Sequence, residues 1–156
     1  MKNFIKGEIH PEGKIVATPD QLIELLKSSK SIYFVIIQGK SGSGKTRLIL
    51  RIASICNGVL KLSYEKLVYS FVDAIKSNKK NTFYNYINFL SKYQIIGIED
   101  VDFLKGKSAT QEYFSNIINK FLRSGIHVLV TGIKLEERVP LLLSGVKEGK
   151  LIWAYM

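Results

Sequence analysis

Apolar residues recur along this chain with two different periods. Nearly unbroken apolar runs stand at residues 32–37, 95–98, 128–130 and 151–154, and a mixed one at 59–63. Short runs of this kind, bounded by turn residues, predict strands covered on both faces. Between them the spacing changes to three and four. Leu22, Ile23, Leu25 and Leu26 form a stripe behind Thr18-Pro19-Asp20-Gln21. There a capping residue, a proline at the first helical position and a closing glutamine predict a helix start, with the helix running to about Lys27. Residues 45–56 repeat leucine and isoleucine at helical spacing and stop at Asn57-Gly58. Residues 64–77 place Leu67, Val68, Phe71, Val72 and Ile75 on one stripe, and a further helix is expected over about 82–91. The stretch from Ser108 to Gln111 repeats the capping-box pattern ahead of Phe114, Ile117, Ile118, Phe121 and Leu122, and Gly125 ends that helix.

Strands alternating with helices of this length predict an α/β fold: a five-stranded parallel sheet between two layers of helices. Ligands of such sheets sit beyond the carboxyl ends of the strands. The two polar clusters that stand out, residues 39–46 and 99–102, both fall at such ends.

Composition narrows the picture only a little. The 156 residues, 46% of them hydrophobic, suit a single domain over 1–156 with a closed core. No apolar run approaches a membrane span and the N-terminus lacks the pattern of a signal peptide, so a soluble, cytoplasmic protein is expected. One cysteine, Cys56, excludes an internal disulfide framework, and His10 and His127 have no metal-ligand spacing. Cys56 is read as a small buried hydrophobe. A formal net charge of +10 favours polyanionic partners. The lysines are scattered, however, so they equally suit solvated helix faces.

The chemistry begins with Gly39-Lys40-Ser41-Gly42-Ser43-Gly44-Lys45-Thr46, which fits G-x-x-x-x-G-K-[ST] throughout. Glycines let successive backbone N–H groups turn inward around an anion, and the helix that follows aims its positive end at the same place. Lys45 is expected to reach the β and γ phosphates of a nucleoside triphosphate, and the Thr46 hydroxyl to ligate magnesium. The loop follows an apolar strand and opens an amphipathic helix, the context that this mechanism requires. ATP with Mg²⁺ is the expected ligand. At the end of the strand at 95–98, Glu99-Asp100 supplies two carboxylates, one to hold the metal and one to orient a water towards the γ phosphate.

The order of these pieces resembles the ATPase core of the bacterial replication initiator DnaA, of the AAA+ class. The most specific stretch is Ile98-Glu99-Asp100-Val101-Asp102-Phe103-Leu104-Lys105-Gly106-Lys107, continuing to Thr110-Gln111-Glu112-Tyr113-Phe114. It is similar to the family's I-D-D-I-Q-F-L-x-G-K followed by T-Q-E-E-F. Leu62-Ser63-Tyr64-Glu65-Lys66-Leu67 and Phe71-Val72-Asp73 resemble the segment entering the helices inserted between the nucleotide motifs, and Val128-Leu129-Val130-Thr131 the strand of the first sensor. Phe4-Ile5-Lys6-Gly7 weakly resembles the entry segment. The resemblance implies an AAA+ type sheet, ATP and magnesium as ligands, and work in or around DNA replication. It places Glu99 where the family has its metal-binding aspartate and Asp100 where it has the water-orienting one. Val72 and Lys107 match positions that touch single-stranded DNA, and Lys105 with Lys76, Lys79 and Lys80 would extend that charge; Ala109 replaces an expected arginine.

Departures from the family pattern limit the activity that the resemblance implies. The first-sensor T-S-D is here Thr131-Gly132-Ile133, without its acid. The stretch 142–147, where an arginine-rich box should fall, holds Lys147 but no arginine, and lysine lacks the planar fork. The sequence matches neither the helical lid nor the duplex-DNA-binding domain of the family, and both are expected to be absent. Two readings follow. One is an ATP-holding module of DNA replication that engages single-stranded DNA, a replication initiator or a helicase-loading protein. The other is a weak ATPase whose missing arginine comes from a partner. Trp153 is read as core packing or a base-stacking platform, and Phe83, Tyr84 and Tyr86 as bases' stacking partners or core.

Overall fold

The run after the first helix becomes the centre of a parallel sheet. The computed structural model describes residues 8, 9, 14–28, 30–56, 58–63, 85 and 88–156. Its strands are β1 (Glu8–Ile9), β2 (Ile15–Val16), β3 (Tyr33–Gln38), β4 (Val59–Ser63), β5 (Ile95–Glu99), β6 (His127–Gly132) and β7 (Lys150–Tyr155). Their order across the sheet is β1-β2-β7-β3-β6-β5-β4. The five long strands run parallel, as the apolar runs predict. At the β7 edge the two-residue strands β1 and β2 are added, paired antiparallel to each other. Two residues carry too little periodicity to announce a strand; pairing with β7 supplies what their own pattern lacks.

Five helices are described: α1 (Pro19–Ser28), α2 (Lys45–Ile55), α3 (Ser108–Arg123), α4 (Leu135–Arg138) and α5 (Pro140–Gly145), with a 3-10 turn at Val101–Leu104. One apolar cluster joins α1 and α2 to the sheet through Leu22, Leu26, Ile49, Ile52, Val35, Ile37 and Ile152. The other packs α3 and α5 on the opposite face through Phe114, Phe121, Leu142, Ile36, Val130 and Trp153. The result is three layers. Burying both faces explains why the strand runs are almost wholly apolar rather than alternating.

Helix starts follow the sequence in one case and depart from it in another. The Thr18 box is formed reciprocally: Thr18 N–H donates to Gln21 Oε1 at 2.9 Å and Gln21 N–H to Thr18 Oγ1 at 3.2 Å. At α3 no such box forms. The helix already includes Ser108, its N-cap is Lys107, and no side-chain cap is made. Gln111, 3% exposed, turns inward instead. Its Nε2 donates to the Leu104 carbonyl at 2.8 Å, and its Oε1 accepts from Leu141 and Leu142 N–H at 3.1 and 3.3 Å. Buried backbone groups at the start of α5 compete for that amide, and they win over the local cap. Trp153, 4% exposed, belongs to the core. Cys56 is half-buried, and burial pushes its thiol pKa up. The helix expected at 64–77, most of that at 82–91, Val72, Phe83, Tyr84, Tyr86 and the N-terminal entry segment lie outside the described residues.

Candidate functional site: a cleft between α2 and β5

β3 ends at Gln38, beside Gly132 of β6 and Tyr155 of β7. The chain then enters the loop from Gly39 to Thr46. Gly39 N–H donates to the Gly132 carbonyl at 3.1 Å, and Ser43 N–H to the Lys40 carbonyl at 3.0 Å. Gly42 and Gly44 adopt φ of 81° and 103°, a region costly to residues with a Cβ. A Cβ at Gly39 would come within 2.6 Å of Ser43 Oγ and 2.8 Å of Met156 Cβ, so the loop closes only around glycine. The sequence places Lys45 in this loop's mouth. The structure folds its ammonium back over the loop, donating to the carbonyls of Gly39 at 2.5 Å and Lys40 at 2.8 Å. Ser43 Oγ is buried and meets no protein partner. A buried hydroxyl without a partner, beside a cationic head and a helix N-terminus, is the donor set of an anion site.

Across the loop stands the acidic end of β5. Ser41, Gly42, Ser43, Gly44, Lys45, Thr46, Arg47 and Asp100 line one open cleft of about 470 Å³. Of the two predicted carboxylates, Asp100 reaches this wall. Glu99 is half-buried at the last position of β5 and is not among the lining residues. Asp100 holds φ 58°, ψ 46°, the one positive φ among described non-glycine residues. Its N–H donates to Thr131 Oγ1 at 3.0 Å, which ties the end of β5 to the end of β6. Burial, then the neighbouring Glu99 and Asp102 charges, raise the Asp100 pKa above the ordinary 3.8, with Lys45 working against them.

Asp102 carries a role that its place in the sequence did not suggest. Its two oxygens accept from Ile133 N–H at 3.1 and 3.0 Å, and Oδ2 also pairs with Arg138 Nη1 at 3.1 Å. A Cβ at Gly132 would lie 2.2 Å from Asp102 Oδ1. The strand at 127–132 has no acid of its own at its end, yet a carboxylate from the 3-10 turn fills that position. Only the glycine at 132 makes room for it. No linear pattern could have linked residues thirty positions apart.

Arg47 is the cleft residue that the motif passes over, since it follows the last motif position. Lys105 and Lys107 are exposed, on either side of Gly106. In the stretch 142–147, Leu142 is fully buried, and a Cβ at Gly145 would meet Ser115 Oγ at 2.3 Å. That stretch is packed onto α3 and offers no cation but the exposed Lys147.

The chain matches the family model described as the bacterial DnaA ATPase domain over residues 2–149. It is 28% identical over 138 residues to the chromosomal replication initiator protein DnaA of Flavobacterium psychrophilum, covering 85% of this chain and 28% of that relative. Domain III of the replication initiation protein DnaA from Thermotoga maritima superposes with a TM-score of 0.69 at 26% identity, covering 97% of this chain and 64% of that one. A replication initiator DnaA bound to AMPPCP and single-stranded DNA gives 0.65 at 25% identity, covering 97% and 48%. The chain thus spans about a quarter to a third of the curated relatives it matches.

Proposed function

Because the chain belongs to the family of bacterial DnaA ATPase domains, we propose that it holds ATP with magnesium in the cleft between α2 and β5, and that it serves DNA replication as a nucleotide-dependent binding module. The observation that carries this reading is the loop itself. Two glycines at positive φ, a buried Ser43 hydroxyl and the Lys45 ammonium converge at the N-terminus of α2, opposite Asp100. Backbone N–H groups of residues 39–46, Ser43 Oγ and Lys45 would hold the phosphates. Thr46 and Asp100, which line the cleft, would hold the metal, whereas Glu99, the ligand expected from the sequence, is not among the lining residues. Magnesium bound by one or two protein oxygens plus phosphates needs no preformed cage. When bound, the ion neutralises phosphate charge and orients the γ phosphate.

Hydrolysis is expected to be slow. An arginine aimed at the γ phosphate is worth about 10³ to 10⁵ in rate, and the stretch 142–147 contributes none. Calorimetric titration with ATP and ADP, with and without magnesium, tests the reading. Binding of ATP that is lost in Lys45→Ala supports it; absence of binding by the unaltered chain refutes it.

The second reading, an ATPase completed by a partner's arginine, is favoured by Asp100. A carboxylate on the cleft wall with a raised pKa suits a group that orients water. Turnover that a replication initiator or helicase-loading protein stimulates, and that Asp100→Asn abolishes, would favour it. Contact with single-stranded DNA is supported by the exposed Lys105 and Lys107 and by the DNA-bound relative. Oligonucleotide binding over a salt series, with and without ATP, tests that part, and no binding at low salt removes it. Among the described residues no helix is long and apolar enough to cross a membrane, which fits work in the cytoplasm.

A further inference from the structure

The first turn of α2 carries two cations, Lys45 and Arg47, and no acid. That is the wrong sign for a helix N-terminus. The helix dipole already puts about half a positive charge there, so cations at that end are unfavourable. Lys45 meets the loop carbonyls. Arg47 has no such relief: among the described residues its guanidinium meets no hydrogen-bond acceptor or carboxylate. One turn further on, Arg51 shows the alternative, because it is paired with Asp20 of α1 at 2.5 Å. Arg47 lines the same cleft as Lys45, Thr46 and Asp100. Side chains in a helix lean back over the turn before them, which for Arg47 is the phosphate loop.

We infer that Arg47 is a second phosphate-binding cation of this cleft, contributed by the chain itself and recognising the polyphosphate of a nucleotide rather than its base. The inference rests on the nucleotide-holding reading and adds a residue to it. An unpaired guanidinium beside a dipole end and a lysine makes a site whose charge is completed by a multivalent anion. Its planar fork grips phosphate oxygens in pairs, which lysine cannot do. A cation that grips the ground state and the transition state alike tightens nucleotide binding without speeding hydrolysis.

Calorimetry on the full chain distinguishes the outcomes, with Mg-ATP, ADP and adenosine as ligands. Arg47→Ala should weaken Mg-ATP binding about 10-fold and ADP binding markedly, Arg47→Lys less than that, and leave any adenosine binding unchanged. Arg51→Ala, which removes an equal charge one turn away, should leave all three unchanged. The melting temperature of nucleotide-free Arg47→Ala should stay the same or rise, because an unfavourable charge leaves the helix end. Unchanged ATP affinity in Arg47→Ala, an equal loss in Arg51→Ala, or a lowered melting temperature without nucleotide would overturn the inference. An unaltered chain that binds no nucleotide would overturn the cleft reading and this inference together. Loss on Lys45→Ala with no loss on Arg47→Ala would overturn this inference alone.

Discussion

At the scale of single residues, the pair to watch is Asp102 and Gly132. Asp102→Ala strands the Ile133 N–H and the Arg138 guanidinium, and is expected to cost about 1–3 kcal/mol, the range for an unsatisfied buried group. Gly132→Ala drives a methyl group into both Asp102 Oδ1 and Leu135 Cδ2, and overpacking of this kind costs about 1–3 kcal/mol. In the double variant the Asp102 part of the clash is gone while the Leu135 part remains, so denaturant unfolding should return somewhat less than the sum of the two losses. Additive losses would show that the two residues do not share one space. His127 gives a pH dependence. Its Nδ1 accepts from Tyr33 N–H at 3.0 Å and its ring stacks on Tyr33, so the neutral imidazole is needed. Burial lowers its pKa below 6.5 in the folded chain. The unfolded chain therefore takes up the proton first. The stabilisation is fully present above about pH 6.5 and is lost as pH falls from there through the folded value. Thermal melts between pH 7 and 5 should show this slope, and His127→Asn, which keeps an acceptor but cannot titrate, should flatten it. Asp100, with a raised pKa, contributes with the opposite sign, since its stabilisation is lost as pH rises through the folded value.

At the scale of elements, local chemistry settled the beginning of α1, while tertiary demand decided α3. Thr18 and Gln21 are three residues apart and need only each other. Gln111 had the same option with Ser108, and instead its amide holds the 3-10 turn, α4 and α5 together through the Leu104, Arg138, Leu141 and Leu142 backbones. Gln111→Ala leaves several of those groups unsatisfied and should cost more than the ~1 kcal/mol of a lost cap. Guanidinium unfolding of Gln111→Ala beside Thr18→Ala checks the ranking, and a smaller loss for Gln111 would contradict it. The short elements α4 and α5 were illegible for the same reason. Four and six residues are too few for a periodic signal, and Gln111 and Asn119 of α3 supply hydrogen bonds that fix the α5 region.

For the molecule as a whole, the sheet order brings the phosphate loop of β3 between the ends of β6 and β7, with β5 one strand beyond. Anything that binds this cleft ties α2 to β5 and therefore stabilises the fold by mass action. At 100 times the dissociation constant a ligand adds about 2.7 kcal/mol. For a chain of this size that is roughly 5–10 °C of melting temperature. Thermal unfolding with saturating Mg-ATP should show a rise of this order, absent in Lys45→Ala. No rise at concentrations where calorimetry detects binding would mean that the ligand sits elsewhere.

By itself the sequence determined the five long strands, the helix starts governed by near neighbours, and the glycine-dependent loop at 39–46. Each rests on residues within a few positions of one another, where covalent spacing alone sets geometry. The tertiary structure alone decided that Asp100 rather than Glu99 lines the cleft, that Arg47 shares its wall, and that Asp102 fits against Gly132. Those relations join residues that the chain separates and the sheet order brings together. They depend on how far each strand end projects, and that is fixed only when both faces of the sheet are packed.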